Sequence, residues 1–102
     1  MNDRKALVVT KDLFFRAKLT AALEQSGFSV SLCGLAPLAV IELGTPNALA
    51  RIERLAADGT QVVAFGSHLN ADELKAARAA GAMVVPNSQI ERVIREELAR
   101  LP

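Results

Sequence analysis

The sequence predicts an α/β domain built on a doubly wound, five-stranded parallel sheet of strand order 2-1-3-4-5. Short continuous apolar runs alternate with segments of helical period, the pattern of βα units around a parallel sheet. Glycines stand where the helical segments must end. One connection is too short to hold a crossover helix, and the strand order has to accommodate it.

Residues 6–10 (Ala-Leu-Val-Val-Thr) form an unbroken apolar run, as expected of a strand covered on both faces. From 12 to 26 the apolar residues Phe15, Leu19, Ala22 and Leu23 share one helical face, and Gly27 offers a left-handed C-terminal cap. Residues 28–33 read as the second strand and 38–41 as the third, which ends at Glu42. Only residues 34–37 lie between them. Either a short coil replaces a crossover helix, or these strands are not neighbours in the sheet. The order 2-1-3 allows the second reading, because the link then passes over the edge of strand 1.

Thr45-Pro46 opens the next helix, with proline in a first-turn position where its missing N–H costs nothing. Leu49, Ile52, Leu55 and Ala56 form its buried stripe, and Gly59 ends it. Residues 62–65 are the fourth strand. Asn70 with Glu73 resembles a capping box at the start of a helix that Gly81 closes, and 83–85 are the fifth strand. Ser88 with Glu91 is a second capping box, and Ile90, Val93, Ile94, Leu98 and Leu101 stripe the last helix. No repeat, low-complexity segment or linker interrupts residues 1–102, which read as one domain whose last helix, ending at Leu101-Pro102, suggests a complete short chain.

Composition narrows the function. The 102 residues are 51% hydrophobic and 23% charged, with a net charge of +1 and both signs interspersed. Nucleic-acid binding needs a one-sided basic footprint, and four Phe with no Trp or Tyr leave few stacking platforms. No signal peptide and no apolar stretch of membrane-spanning length is found, so the expected location is cytoplasmic. Cys33 is the only cysteine and sits in an apolar run, which suits a buried inert thiol.

In an open parallel sheet the working site lies at the carboxyl ends of the strands, here in the crevice between strands 1 and 3. Thr10, Lys11 and Asp12 end there after strand 1, and Glu42 after strand 3. Gly66, Ser67 and His68 follow strand 4, and Pro86, Asn87 and Ser88 follow strand 5.

With those residues placed, residues 6–98 resemble a response-regulator receiver domain (CheY-like, flavodoxin-like) with its second helix missing or replaced by a short coil. The likeness is carried by Val40-Ile41-Glu42-Leu43-Gly44-Thr45-Pro46, by Val62-Val63-Ala64-Phe65-Gly66-Ser67-His68, and by residues 74–82. In that family an aspartate ending strand 3 accepts the phosphoryl group, with a proline four residues later; Glu42 and Pro46 hold these places. The family's acidic pair after strand 1, which holds Mg2+ through oxygen ligands, is replaced by Thr10 and Lys11, with Asp12 one step too late. Its hydroxyl after strand 4 is replaced by Gly66 unless a one-residue slip brings in Ser67, and its lysine after strand 5 by Asn87 or Ser88.

Phosphoryl transfer depends on a metal and positioned cations. The resemblance therefore implies a pseudo-receiver that signals by protein binding, without catalysis, cofactor or bound metal. An ion pair between the Lys11 ammonium and Glu42 would then replace the metal; alternatively Glu42 mimics the phosphorylated state, or both side chains simply face water. The family's interface is its fourth helix, fifth strand and fifth helix, here the last two helices and the strand between them. Its candidates are Lys75, Arg78, Ala79 and Met83 with Glu91, Arg92, Arg95 and Glu96, whose mixed charges suit a protein partner or a homodimer. The lost helix predicts a second apolar patch if Leu32, Leu35, Pro37 and Leu38 are left uncovered.

Two other readings stay open: a phosphorelay member that accepts phosphate on Glu42, and a flavodoxin-like small-ligand binder using the same crevice. The lone His68 has no ligand partner at suitable spacing, and Ser67 lacks a nucleophile elbow. Gly44-Thr45-Pro46-Asn47 opens a helix without a glycine-rich phosphate fingerprint, and Arg51, Glu53 and Arg54 read as a solvated helix face.

Overall fold

A computed structural model of the chain describes residues 4–31, 34, 36–67 and 69–98. The predicted positions of Leu32, Cys33, Leu35, His68 and Leu101 lie outside the described residues.

Five strands form one parallel sheet of order β2-β1-β3-β4-β5: β1 Lys5–Val9, β2 Ser29–Ser31, β3 Leu38–Glu42, β4 Gln61–Gly66 and β5 Met83–Pro86. Helices α1 (Leu13–Gln25), α2 (Ala48–Ala57), α3 (Ala71–Ala79) and α4 (Ile90–Glu96) connect them, with a 3-10 turn over Asn87–Gln89 before α4. The short link after β2 works as the order 2-1-3 requires. β1 lies between β2 and β3, pairing Leu7 with Ser31 on one side and with Ala39 on the other.

Burial on both faces explains the unbroken apolar strands. Ala6, Val8, Val40, Val63 and Phe65 pack against Leu19, Leu23, Ile90 and Ile94 of α1 and α4. Leu7, Ala39, Ile41, Val62 and Ala64 pack against Ile52 and Ala77 of α2 and α3. Gly27, Gly59 and Gly81 carry the positive φ that their places after helices require.

On the sheet face that a helix after β2 would cover, β2 itself presents serines. Val30 packs toward α1 and α4, so the alternation of the strand turns Ser29 and Ser31 to the other side, level with Lys5 and Leu7 of β1. Leu38 is buried on the α1–α4 face, and Pro37 is exposed but lies beside the half-buried Ala36. Of the predicted patch, then, Leu38 is buried and Pro37 exposed, while Leu32 and Leu35 lie outside the described residues. At its edge strand, this sheet face carries serines.

Three predicted helix starts are corrected. α2 begins at Ala48, not at Thr45-Pro46, because Asn47 is left-handed at φ 58° and the Thr45 hydroxyl donates back to the Glu42 carbonyl at 2.7 Å. Neither capping box forms: Asn70 makes no side-chain cap bond, and Ser88 lies inside the 3-10 turn. Among the described residues the side-chain cap that does form is Asp12, which accepts from the Phe14 and Phe15 amides at 2.9 and 3.1 Å.

Candidate functional site: the crevice at the carboxyl ends of β1 and β3

Parallel pairing of β1 with β3 sets Val9 beside Ile41, so the residues that follow each strand meet at the mouth of the crevice. The half-buried Glu42 carboxylate accepts two hydrogen bonds on one oxygen, from the Thr10 hydroxyl at 2.7 Å and the Lys11 backbone N–H at 3.1 Å. Thr10, only 5% exposed, also accepts from the Asp12 N–H at 3.2 Å. One carboxylate thus ties the whole β1–α1 loop to the end of β3.

The predicted ion pair is overturned. Lys11 reaches Glu42 through its main chain, and its ammonium makes no ion pair among the described residues. The Lys11 Nζ lies 3.5 Å from the place a β-carbon on Gly44 would take. Gly44 is left-handed at φ 93°, so the lysine stem passes over a turn with no side chain in its way.

Gly66 is the last residue of β4, beside Pro86. A β-carbon there would stand 3.2 Å from the Leu43 β-carbon, so Leu43 fills the space in which a hydroxyl side chain would sit. The slip to Ser67 does not bring a hydroxyl to Glu42 either: the Ser67 oxygen accepts from the Leu69 N–H at 3.2 Å, closing its own turn. Asn87 is exposed, opens the 3-10 turn and lines one cleft with Asp12, without a hydrogen bond to Glu42. The crevice therefore gathers Thr10, Lys11, Asp12 and Glu42, with Asn87 on the cleft beside Asp12, while Ser67 serves a local turn.

These residues do not fit Mg2+. Among the described residues no three acidic, histidine or cysteine side chains come together, Lys11 brings a cation beside Glu42, and one oxygen each of Asp12 and Glu42 is already taken by two donors.

Two supports were not evident from residues at strand ends. Arg16, one turn into α1, donates to the Thr10 carbonyl at 3.0 Å, and Thr45 holds the Glu42 carbonyl. Arg16 lies four residues after Asp12, so a helix starting at Leu13 returns it to the loop; its spacing was the available signal.

On the predicted interface, Lys75, Arg78 and Met83 are exposed. Arg92 pairs with Glu96 at 3.8 Å and Arg95 with Glu91 at 3.5 Å, both along α4. Those charges are already matched within one solvated helix, where each pair is worth little.

No protein-family model matches this sequence, and no curated protein matches it. Solved structures do. The BeF3-activated DrrB receiver domain superposes with a TM-score of 0.80 at 16% identity, covering 97% of each chain. An orphan response regulator of H. pylori gives 0.74 at 16% identity over 96% of each chain. A CheY-like protein, tadZ, from Pseudomonas aeruginosa PAO1 gives 0.68 at 22% identity over all of both chains. With the same strand order and flanking helices, the chain has the CheY-like, flavodoxin-like fold of a response-regulator receiver domain.

Proposed function

We propose that this chain is a receiver-like signalling module that acts without phosphorylation, by binding another protein in the cytoplasm, and that it is not an enzyme. The observation that carries the reading is the surroundings of Glu42. A phosphoacceptor must present a free carboxylate oxygen beside a metal, with cations placed to take up the charge of the transferred group. Here Thr10 and the Lys11 amide fix one Glu42 oxygen and, among the described residues, leave the other free. The reading therefore rests on what stands around that oxygen: a threonine and a lysine where the receiver family carries its metal-binding acids. The α3–β5–α4 face is the surface we assign to the protein partner, with Lys75, Arg78 and Met83 as its contact residues beside the internally paired Glu91, Arg92 and Arg95. The competing reading, phosphorylation on Glu42, is favoured only by the position of that carboxylate at the end of β3.

The two readings differ in their response to Mg2+. Millimolar Mg2+, followed by amide NMR, is expected to leave the Thr10, Lys11 and Glu42 signals in place. Saturable shifts at these amides would overturn the proposal.

A further inference from the structure

A cleft of about 520 Å³ opens at the amino end of the sheet, the end opposite the crevice. Strand register accounts for it. β4 starts at Gln61 but pairs with β5 only from Val63, opposite Met83, so Gln61 and Val62 run on past the end of β5 and line the cleft. Two left-handed glycine turns line it as well, Gly59 after α2 and Gly81 after α3, at φ 88° and 108°. A β-carbon on Gly59 would meet nothing within 4 Å, so the lining there is bare main chain that a ligand backbone can approach.

Arg78 is the only charged side chain among the described residues that line this cleft. It is exposed and makes no ion pair among the described residues. Met83, 36% exposed, is the large flexible apolar residue on the same lining. Most charges close by have the sign of Arg78. Lys75 lies one turn earlier on α3 and Arg54 in the last turn of α2, both exposed and without an ion pair among the described residues. The acid at this end of α2, Asp58, lines the neighbouring depression with Ala36 and Pro37. Asp72 and Glu73 stand at the other end of α3, and Glu96 and Glu97 end α4 in the layer on the far face of the sheet.

One unpaired guanidinium, open main chain and a thioether complement a carboxylate carried next to an apolar side chain. The arginine fork takes a carboxylate through two parallel hydrogen bonds, which gives such a contact direction as well as strength. A nucleic acid is a poorer match, because its affinity grows with the number of phosphates met by cations and this lining holds a single one. We propose that the protein partner enters this cleft with a peptide segment bearing an aspartate or glutamate beside an apolar residue, the carboxylate on Arg78 and the apolar side chain on Met83. The inference rests on the partner-binding reading, from which it takes Arg78 and Met83, and adds the chemistry of the partner and its place at the amino end of the sheet.

Selection of displayed random peptides on the immobilised chain tests this. The expected result is enrichment of peptides with Asp or Glu next to an apolar residue. A synthetic copy of an enriched peptide should shift the amide signals of Gly59, Gln61, Arg78 and Met83 and leave those of Thr10 and Glu42 in place. Arg78→Glu should weaken that peptide by about tenfold or more while circular dichroism shows the fold kept, and selection on this variant should enrich Lys or Arg instead. Arg51→Glu, exposed on α2 and off the lining, should change nothing. No enrichment, enrichment of basic or uncharged peptides, indifference to Arg78→Glu, displacement of the peptide by short DNA, or shifts confined to the crevice would each overturn the proposal. A partner that contacts Lys75 and α4 but leaves the cleft signals unmoved would overturn this inference alone, whereas phosphorylation of Glu42, read by intact mass, would overturn the underlying reading.

Discussion

Replacing Phe65 by alanine is expected to remove about 3–5 kcal/mol of stability. Phe65 is among the largest fully buried side chains, and its ring centroid lies 4.9 Å from that of Phe15 at a tilt of 42°. Truncation leaves a cavity at the junction of β4, α1 and α4, and it also loses an aromatic pair. The position matters to the crevice as well. Phe65 is the register partner of Glu42, and its carbonyl accepts the Leu43 N–H at 2.8 Å. Domains of this size hold about 5–15 kcal/mol in all, so the variant should sit close to unfolding at physiological temperature. Phe65→Leu, which keeps most of the volume, should cost about 1.5 kcal/mol or less. Chemical denaturation followed by circular dichroism measures both. A loss below about 1 kcal/mol for Phe65→Ala would show that this ring does not hold the two layers together.

Thr10→Val is the second large effect, and it bears on the crevice directly. Valine matches threonine in shape but cannot donate to Glu42 or accept from the Asp12 N–H. Hydrogen bonds to a charged group contribute about 1.5–3 kcal/mol, and Glu42 is only half-buried, so a loss of about 2 kcal/mol is expected. The loss should come with faster amide exchange at Lys11 and Asp12, because the β1–α1 loop loses its tie to β3. Glu42→Gln, which keeps an acceptor oxygen, should cost less. Equal stability of Thr10→Val and the parent protein would mean that the loop is held by something else, Arg16 first among the candidates.

The layout of the sheet was legible in the sequence because burial on both faces writes strands as unbroken apolar runs. The short link between the second and third strands, four residues as predicted and six (32–37) between β2 and β3, pointed to a strand order that the sheet has. That Ser29 and Ser31 share the face opposite Val30 could be placed only once the register of β2 against β1 was known. Helix starts were less legible, since a residue type that suits a cap need not make the bond. Asn70 and Ser88 do not, and Asn47 turns left-handed where Pro46 seemed to begin a helix. In the crevice, topology fixes which residues meet, so Thr10, Lys11 and Glu42 could be named beforehand. Which atoms they use could not. Lys11 contributes its amide where its ammonium was expected, and the space beside Gly66 is taken by Leu43, whose side-chain direction no spacing rule gives.

The central claim is that Glu42 is held as a structural carboxylate and does not accept phosphate. Incubating the protein with a small-molecule phosphodonor and Mg2+, then weighing it intact, tests this most directly. The account predicts an unchanged mass. A gain of one phosphoryl group that disappears in Glu42→Gln would contradict it.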